Sequence, residues 1–353
     1  MKLGDHNPFG FQVNYEKFFS KASKDEKDAQ VKMRPSTTFL KDGIRTFVHN
    51  PVAMVCFVLI VIIVLGIIII PEVYPYRYDE MLGLATSDSG YNNLAPFQYA
   101  PAEQAILDAG GSVWPHIFGT DSAGRDYFIR TIYGTRVSLS VGFFAAIIVL
   151  IIGTLYGSIS GLAGGKVDLI MMRIVDVIYS LPDMLIIILL SVILRTTLGS
   201  SLDGTILANI GVGMISIFIV FALLYWVGMA RLVRGQVLSI KQEDYILAAR
   251  SIGAKNGFII KKHLIPNCMS VIIISAGLQI PSAIFTESFL SFIGLGVSSP
   301  MPSLGSLAND GLGSLSVYPW RLFVPAIAIC VVVLCLNLIG DGLRDAFDPT
   351  LKD

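Results

Sequence analysis

Charge is scarce in this sequence, and what there is cancels. Charged residues make up 15% of the 353, with 26 Lys plus Arg against 26 Asp plus Glu, where a soluble globular chain carries roughly 25%. The even balance leaves no global basic field, so nucleic acid is not indicated as a partner. Histidine and cysteine are rarer still, four of each. His6, His49, His116 and His263 stand isolated, without the His-Glu-x-x-His spacing of a zinc hydrolase. Cys56, Cys268, Cys330 and Cys335 lie in or beside apolar runs with no metal-type spacing, which predicts free buried thiols. Gly157-Ser-Ile-Ser-Gly161 puts Ile159 where a nucleophile elbow needs serine. In Gly161–Val167 the first glycine of a phosphate loop is out of register, and Val167 has no hydroxyl for magnesium. No catalytic residue, cofactor or metal is therefore expected in this chain. Disorder is excluded as well, because 54% of the residues are hydrophobic.

What is abundant is long apolar runs. A bilayer core of about 30 Å needs about 20 apolar helical residues. Six stretches qualify: 52–70 (stopping at Pro71), 138–162, 174–194, 204–230, 268–286 and 322–340. The third carries Asp176, Pro182 and Asp183, so only its second half is cleanly apolar. The reading is an all-α polytopic membrane protein with six transmembrane helices. Lys and Arg fall 20 on one side and 6 on the other, which places the N- and C-termini in the cytoplasm. The chain then divides into a cytoplasmic arm (1–51), the first helix (52–70), an extracellular loop (71–137), a five-helix core (138–341) and a cytoplasmic tail (342–353). Within the outer loop, Pro, Gly, Tyr and Asn punctuation predicts irregular chain as far as Pro115. A short amphipathic helix over Gly124–Tyr133 would follow, with Arg125, Asp126 and Arg130 on its wet face.

Several side chains stand out. Gly153, Gly157, Gly161 and Gly165 repeat every four residues, a strip that lets another helix approach closely. Asp176 is placed to pair with Arg173. Asp183, behind the helix-kinking Pro182, stands near mid-span and is a candidate for the translocation path. Glu287 is a second candidate, with capping or helix pairing as the alternative. The 230–267 loop contains Asp244-Tyr245-Ile-Leu-Ala248-Ala249-Arg-Ser-Ile-Gly253-Ala254, a short helix whose Asp244 suits the helix dipole. On spacing alone it is either a docking knob for a separate motor or an amphipathic helix resting on membrane lipid.

This loop resembles the EAA motif of ABC-importer permeases: Ala248, Ala249, Gly253 and Pro266 match, while Leu247, His263 and Ile265 depart from it. Further stretches resemble the C-type subunit of dipeptide and oligopeptide permeases. They are Phe118-Gly-Thr-Asp-Ser-Ala-Gly-Arg-Asp126 with Tyr133-Gly-Thr-Arg136, Gly164-Gly-Lys-Val-Asp168 with Asp176, Glu287-Ser-Phe-Leu-Ser-Phe-Ile-Gly-Leu-Gly296, Pro302-Ser-Leu-Gly305, and Asn337–Asp345 with Asp348-Pro349. The resemblance implies a type I ABC-importer permease fold in a bacterial plasma membrane, paired with a homologous B-type permease. It also implies two cytoplasmic ATPases, which hold the ATP and magnesium, and an extracellular lipoprotein or periplasmic protein that binds peptide. Asp244, Tyr245, Ala248, Ala249, Gly253 and Ala254 would then grip the ATPases. A nickel or other small-solute importer is the alternative within this class, and an ion-coupled secondary transporter the alternative outside it.

Overall fold

The computed structural model describes residues 39–83, 89–202, 212–297 and 301–347. Expectations for the arm before residue 39, the start of the fourth span and the tail after 347 fall outside these. Among the described residues the chain is helical, and the one bridge of strand type joins Thr120 and Asp126. Five helices are long and apolar enough to cross a membrane, or six if one sharply bent pair counts as a span.

Helix α1 (Phe39–His49) ends at Asn50, whose side chain caps α2 (Pro51–Val73) by accepting the Ala53 N–H at 3.2 Å. Pro71 does not stop α2 where the sequence suggests. It sits in the last turn, where a missing donor costs little, and the helix closes two residues later with Tyr74 N–H on the Ile70 carbonyl.

The amphipathic helix expected over 124–133 is not a separate element. Asp126 accepts the Ile129 N–H at 3.0 Å and caps a helix that starts at Tyr127. That helix, α4 (Tyr127–Ile148), passes through a π turn at Val149–Gly153 into α5 (Thr154–Ala163). Arg130 is only 2% exposed, lying 3.5 Å from Asp121 and donating to the Tyr78 carbonyl. Its charge is consumed inside the fold, so what reads as a wet face in one dimension is buried in three.

The third span is broken. Helices α6 (Gly165–Tyr179) and α7 (Asp183–Leu202) are bent by 84° about Ser180-Leu181-Pro182. Pro182 supplies no N–H, and its carbonyl accepts the first amides of α7 from Leu185 and Ile186. Helix α8 (Val212–Leu224) continues past Tyr225 into α9 (Trp226–Ile240), ten residues beyond the apolar run. Charge ends an apolar count but not a helix, because Arg231 and Arg234 find carboxylates on α6. The remaining elements are α10 (Asp244–Ser251), a connector of short helical turns over 256–267, α11 (Met269–Phe292), α12 (Leu304–Leu312) and α13 (Trp320–Phe347).

Three clusters hold the helices together. Cys56, Ile60, Leu139, Ile284 and Val332 join α2, α4, α11 and α13. Ile187, Ile217, Phe221 and Leu290 join α7, α8 and α11. Val149, Val233, Ile246, Ile259, Leu264 and Ile272 tie α9, α10 and α11 to the π turn. Of the four free thiols, Cys56, Cys268 and Cys335 are buried, whereas Cys330 is exposed on α13.

The segment between α2 and α4 is more ordered than its punctuation suggests. Helix α3 (Pro101–Asp108) packs it around a histidine that the sequence left isolated. His116 Nδ1 lies 2.8 Å from Asp126 Oδ2 and its Nε2 3.2 Å from Glu103 Oε1. Tyr74 donates to Asp126 and Tyr76 to Glu103. Burial alone would lower the imidazole, but its hydrogen bonds and attraction to the two carboxylates outweigh this and raise it to about 9. Both nitrogens therefore donate, and the charged ring clips α3 to the start of α4.

Candidate functional site

Two features gather the candidate residues: a short helix with one exposed side, and a cavity at the break in the third span. The helix is α10. Ile246 is fully buried in the cluster it shares with α9 and α11, and Ala249 is buried beside it. Asp244, Tyr245, Leu247, Ala248 and Arg250 lie on the exposed side. The helix ends in a hydrogen-bonded Schellman turn: Gly253 N–H returns to the Arg250 carbonyl, and Ala254 N–H to that of Ala249. Gly253 takes φ +84°, and a Cβ there would meet nothing within 4 Å. It is thus the turn's backbone, not open space for a partner, that asks for glycine. The turn leaves Ile252 87% exposed, and Leu247 and Phe258 in the same loop are exposed as well. Sequence reasoning missed these three, because an apolar residue beside a membrane span carries no signal until its surroundings are known.

Behind α10, the glycine strip forms the seam between α5 and α9. A Cβ on Gly157 would stand 2.4 Å from the Ala230 carbonyl oxygen, on Gly153 2.6 Å from Met229 Cβ, and on Gly161 2.8 Å from Val237 Cγ1. Gly165 does not belong to this seam. It takes φ +54° at the start of α6, with nothing near its missing Cβ. The strip's period continues through a turn, where the helix does not.

Ion pairs bind α6 to α9 across the same end of the molecule. Arg234 makes a two-pronged contact with Asp168, Nη2 to Oδ2 at 2.6 Å, and Ser160 also donates to that carboxylate. Lys241 donates to the Gly161 carbonyl at 2.9 Å. Asp176 pairs with Arg231 at 2.7 Å, not with Arg173, and that guanidinium lies over the Tyr179 ring. A neighbour along the helix is outcompeted by a residue on the facing helix, which only the fold brings close.

The cavity, about 340 Å³, lies where α6 and α7 break against α8, α9 and α11. Asp183, Tyr225, Gln279, Ser282 and Thr286 give it polar walls; Ile187, Met184 and Leu224 give it apolar ones. Tyr225 donates to Thr286 Oγ1 at 2.6 Å, which donates to the Ser282 carbonyl. Glu287, the other path candidate, points elsewhere. It is fully buried between α11 and α4, accepting hydroxyl hydrogen bonds from Ser138 and Ser291, both at 2.7 Å, and from Ser288. A fully buried carboxylate with several donors fits the helix-pairing alternative, and it is the neighbouring Thr286 that lines the cavity. Among the described residues no group of three or more His, Cys, Asp or Glu side chains is arranged to hold a metal ion.

The outlying motifs also acquire reasons. In Phe118–Asp126, Asp121 accepts the Ala123 and Arg125 N–H groups while Arg321 of α13 donates to the Thr120 carbonyl. Gly119 is required because a Cβ would reach 2.1 Å from the Leu94 carbonyl oxygen. In the other motif pair, Gly305 lets α12 touch the Ser288 carbonyl.

Known proteins resemble this chain along most of its length. Residues 153–353 match the model of the binding-protein-dependent transport system inner membrane component, and residues 38–96 match that of the N-terminal transmembrane domain of oligopeptide transport permease C. The chain is 40% identical to the oligopeptide transport system permease protein OppC of Bacillus subtilis, covering 95% of this chain and 97% of that one. It is also 40% identical to the dipeptide transport system permease protein DppC of the same organism, covering 97% and 95%. Among solved structures it is similar to a chain of the MetNI methionine ABC transporter in an inward-facing conformation, at TM-score 0.48 and 17% identity over 62% of this chain and 96% of that one. The chain belongs to the family of binding-protein-dependent transport system inner membrane components.

Proposed function

We propose that this chain is the transmembrane permease subunit of an ATP-driven importer of oligopeptides or dipeptides. It forms half of a translocation path with a homologous permease, receives peptide from an extracellular binding protein, and takes its motion from two cytoplasmic ATPases. Both termini and the 230–267 loop face the cytoplasm. Helix α10 is the coupling element, and Asp183 lies on the path. The observation that carries this reading is the two-sided character of α10. One side is locked into the core that continues into α9 and α11; the other presents Tyr245, Leu247 and Ile252 to a partner. An apolar knob on an exposed turn is a docking surface, and a rigid anchor lets displacement of the knob become rotation of helices.

Replacing Leu247 and Ile252 by Asp tests it. In the complex purified through this chain, the ATP-binding subunits are expected to be lost while the partner permease stays. Retention of both ATPases and wild-type peptide uptake would remove α10 from the docking role. These surface positions are a sharper test than bulky residues at Ala249 or Gly253, which would distort the helix itself.

A further inference from the structure

The cavity at the broken third span contains a carboxylate with no counter-charge. Asp183 makes no hydrogen bond or ion pair with any described residue, and none of the lining side chains is cationic. Arg231, on the helix that follows Tyr225, is already held by Asp176 and the face of Tyr179. Asp183 does not cap α7 either, because the first amides of that helix are taken by the Pro182 carbonyl. Opposite it, Gln279 and the Ser282 hydroxyl are likewise uncommitted, whereas Tyr225 and Thr286 are fixed by their hydrogen bonds. Gln279 lies ten residues into α11, about 15 Å along the helix axis. That is membrane depth, where an unpaired carboxylate is costly and calls for a cation.

We infer that this cavity is a transit subsite for an ammonium group, the N-terminal amine of the passing peptide. Asp183 receives the amine, and Gln279 with Ser282 pairs the N–H and C=O of the first peptide bond. This deepens the peptide-importer reading and rests on it. The carboxamide offers both a donor and an acceptor and the hydroxyl the same, which suits a main chain of any sequence. The apolar walls from Met184, Ile187 and Leu224 make room for side chains without selecting among them. At about 340 Å³ the cavity takes the leading residues of a peptide, not the whole of a long one.

The test uses the complete transporter in proteoliposomes with its binding protein, ATP and radiolabelled peptides that either contain or lack lysine. If the wild type imports neither peptide, the importer reading fails before the subsite is at issue. If it imports them, Asp183→Asn is expected to slow initial import of both peptides about tenfold, the loss of one charge-assisted hydrogen bond. Subunit composition should be unchanged, and Asp183→Glu should restore most of the rate. Wild-type import by Asp183→Asn would overturn the subsite. Loss of the partner permease from the purified complex would show that Asp183 is an assembly contact instead. A defect confined to the lysine-containing peptide would move the ammonium from the N-terminus to the side chain and overturn that assignment.

Discussion

Glycines at one spacing do two different things here, and the difference is measurable. At Gly157 an added methyl would meet the Ala230 carbonyl and the Arg234 amide at 2.4 and 3.0 Å. These atoms are backbone and cannot rotate away, so α5 and α9 must part. Gly157→Ala should cost about 1–3 kcal/mol, as overpacking does. Gly165→Ala meets no neighbour and suffers only its left-handed backbone, about 1–2 kcal/mol. Thermal unfolding in detergent of the two variants separates the cases, since only the seam variant should also loosen the Arg234–Asp168 contact and expose α9 to proteases. Equal stability and equal protease resistance would show that α5 and α9 are not tightly sealed. The same caution applies to Glu287, for which the sequence left a path role and helix pairing both open and whose hydroxyl partners lie on α4 and α11.

Among the elements, the segment between α2 and α4 has the clearest pH dependence. His116 is raised to about 9 by Asp126 and Glu103, against 6.5 for the free side chain. Its contribution to stability is therefore complete below about pH 6.5 and is lost as pH climbs through about 9. The melting temperature of the purified protein should fall across that window. His116→Gln leaves two buried carboxylates without their cation, so it should start about 3 kcal/mol less stable and show a flatter profile. A profile unchanged by the substitution would mean that the clip between α3 and α4 contributes little. The break between α6 and α7 belongs to this scale too. A proline between Asp176 and Asp183 announces a kink, but the 84° bend becomes a cavity only where α8, α9 and α11 supply its other walls.

For the molecule as a whole, the distribution of Lys and Arg and the position of α10 make orientation a testable property. Single cysteines at Ile106 and Ile252, both exposed, would be placed in a background lacking the native thiols, exposed Cys330 included. A membrane-impermeant maleimide should label position 106 on intact spheroplasts and position 252 only after permeabilisation. The reverse pattern would invert the topology and with it the cytoplasmic docking of α10.

How much could be read in advance follows from what each feature depends on. Hydrophobic run length and the side on which cations fall are summed along the chain, and a bilayer responds to such sums. They were enough for the helical class, six apolar stretches and the expected sidedness, while the ordered motifs were enough for the family. Contacts between elements are not sums. The pairing of Asp176 with Arg231, the imidazolium of His116 between two carboxylates, the burial of Arg130 and Glu287, and the apolar tip at Ile252 all join residues far apart in the chain or depend on what covers them. Helix α9 also ran past the charges that ended its apolar count, because Arg231 and Arg234 found carboxylates on α6. The chain alone could say which segments are apolar enough to enter a membrane; packing alone decided which of its polar groups are spent on holding it together and which, like Asp183, face a cavity without a counter-charge.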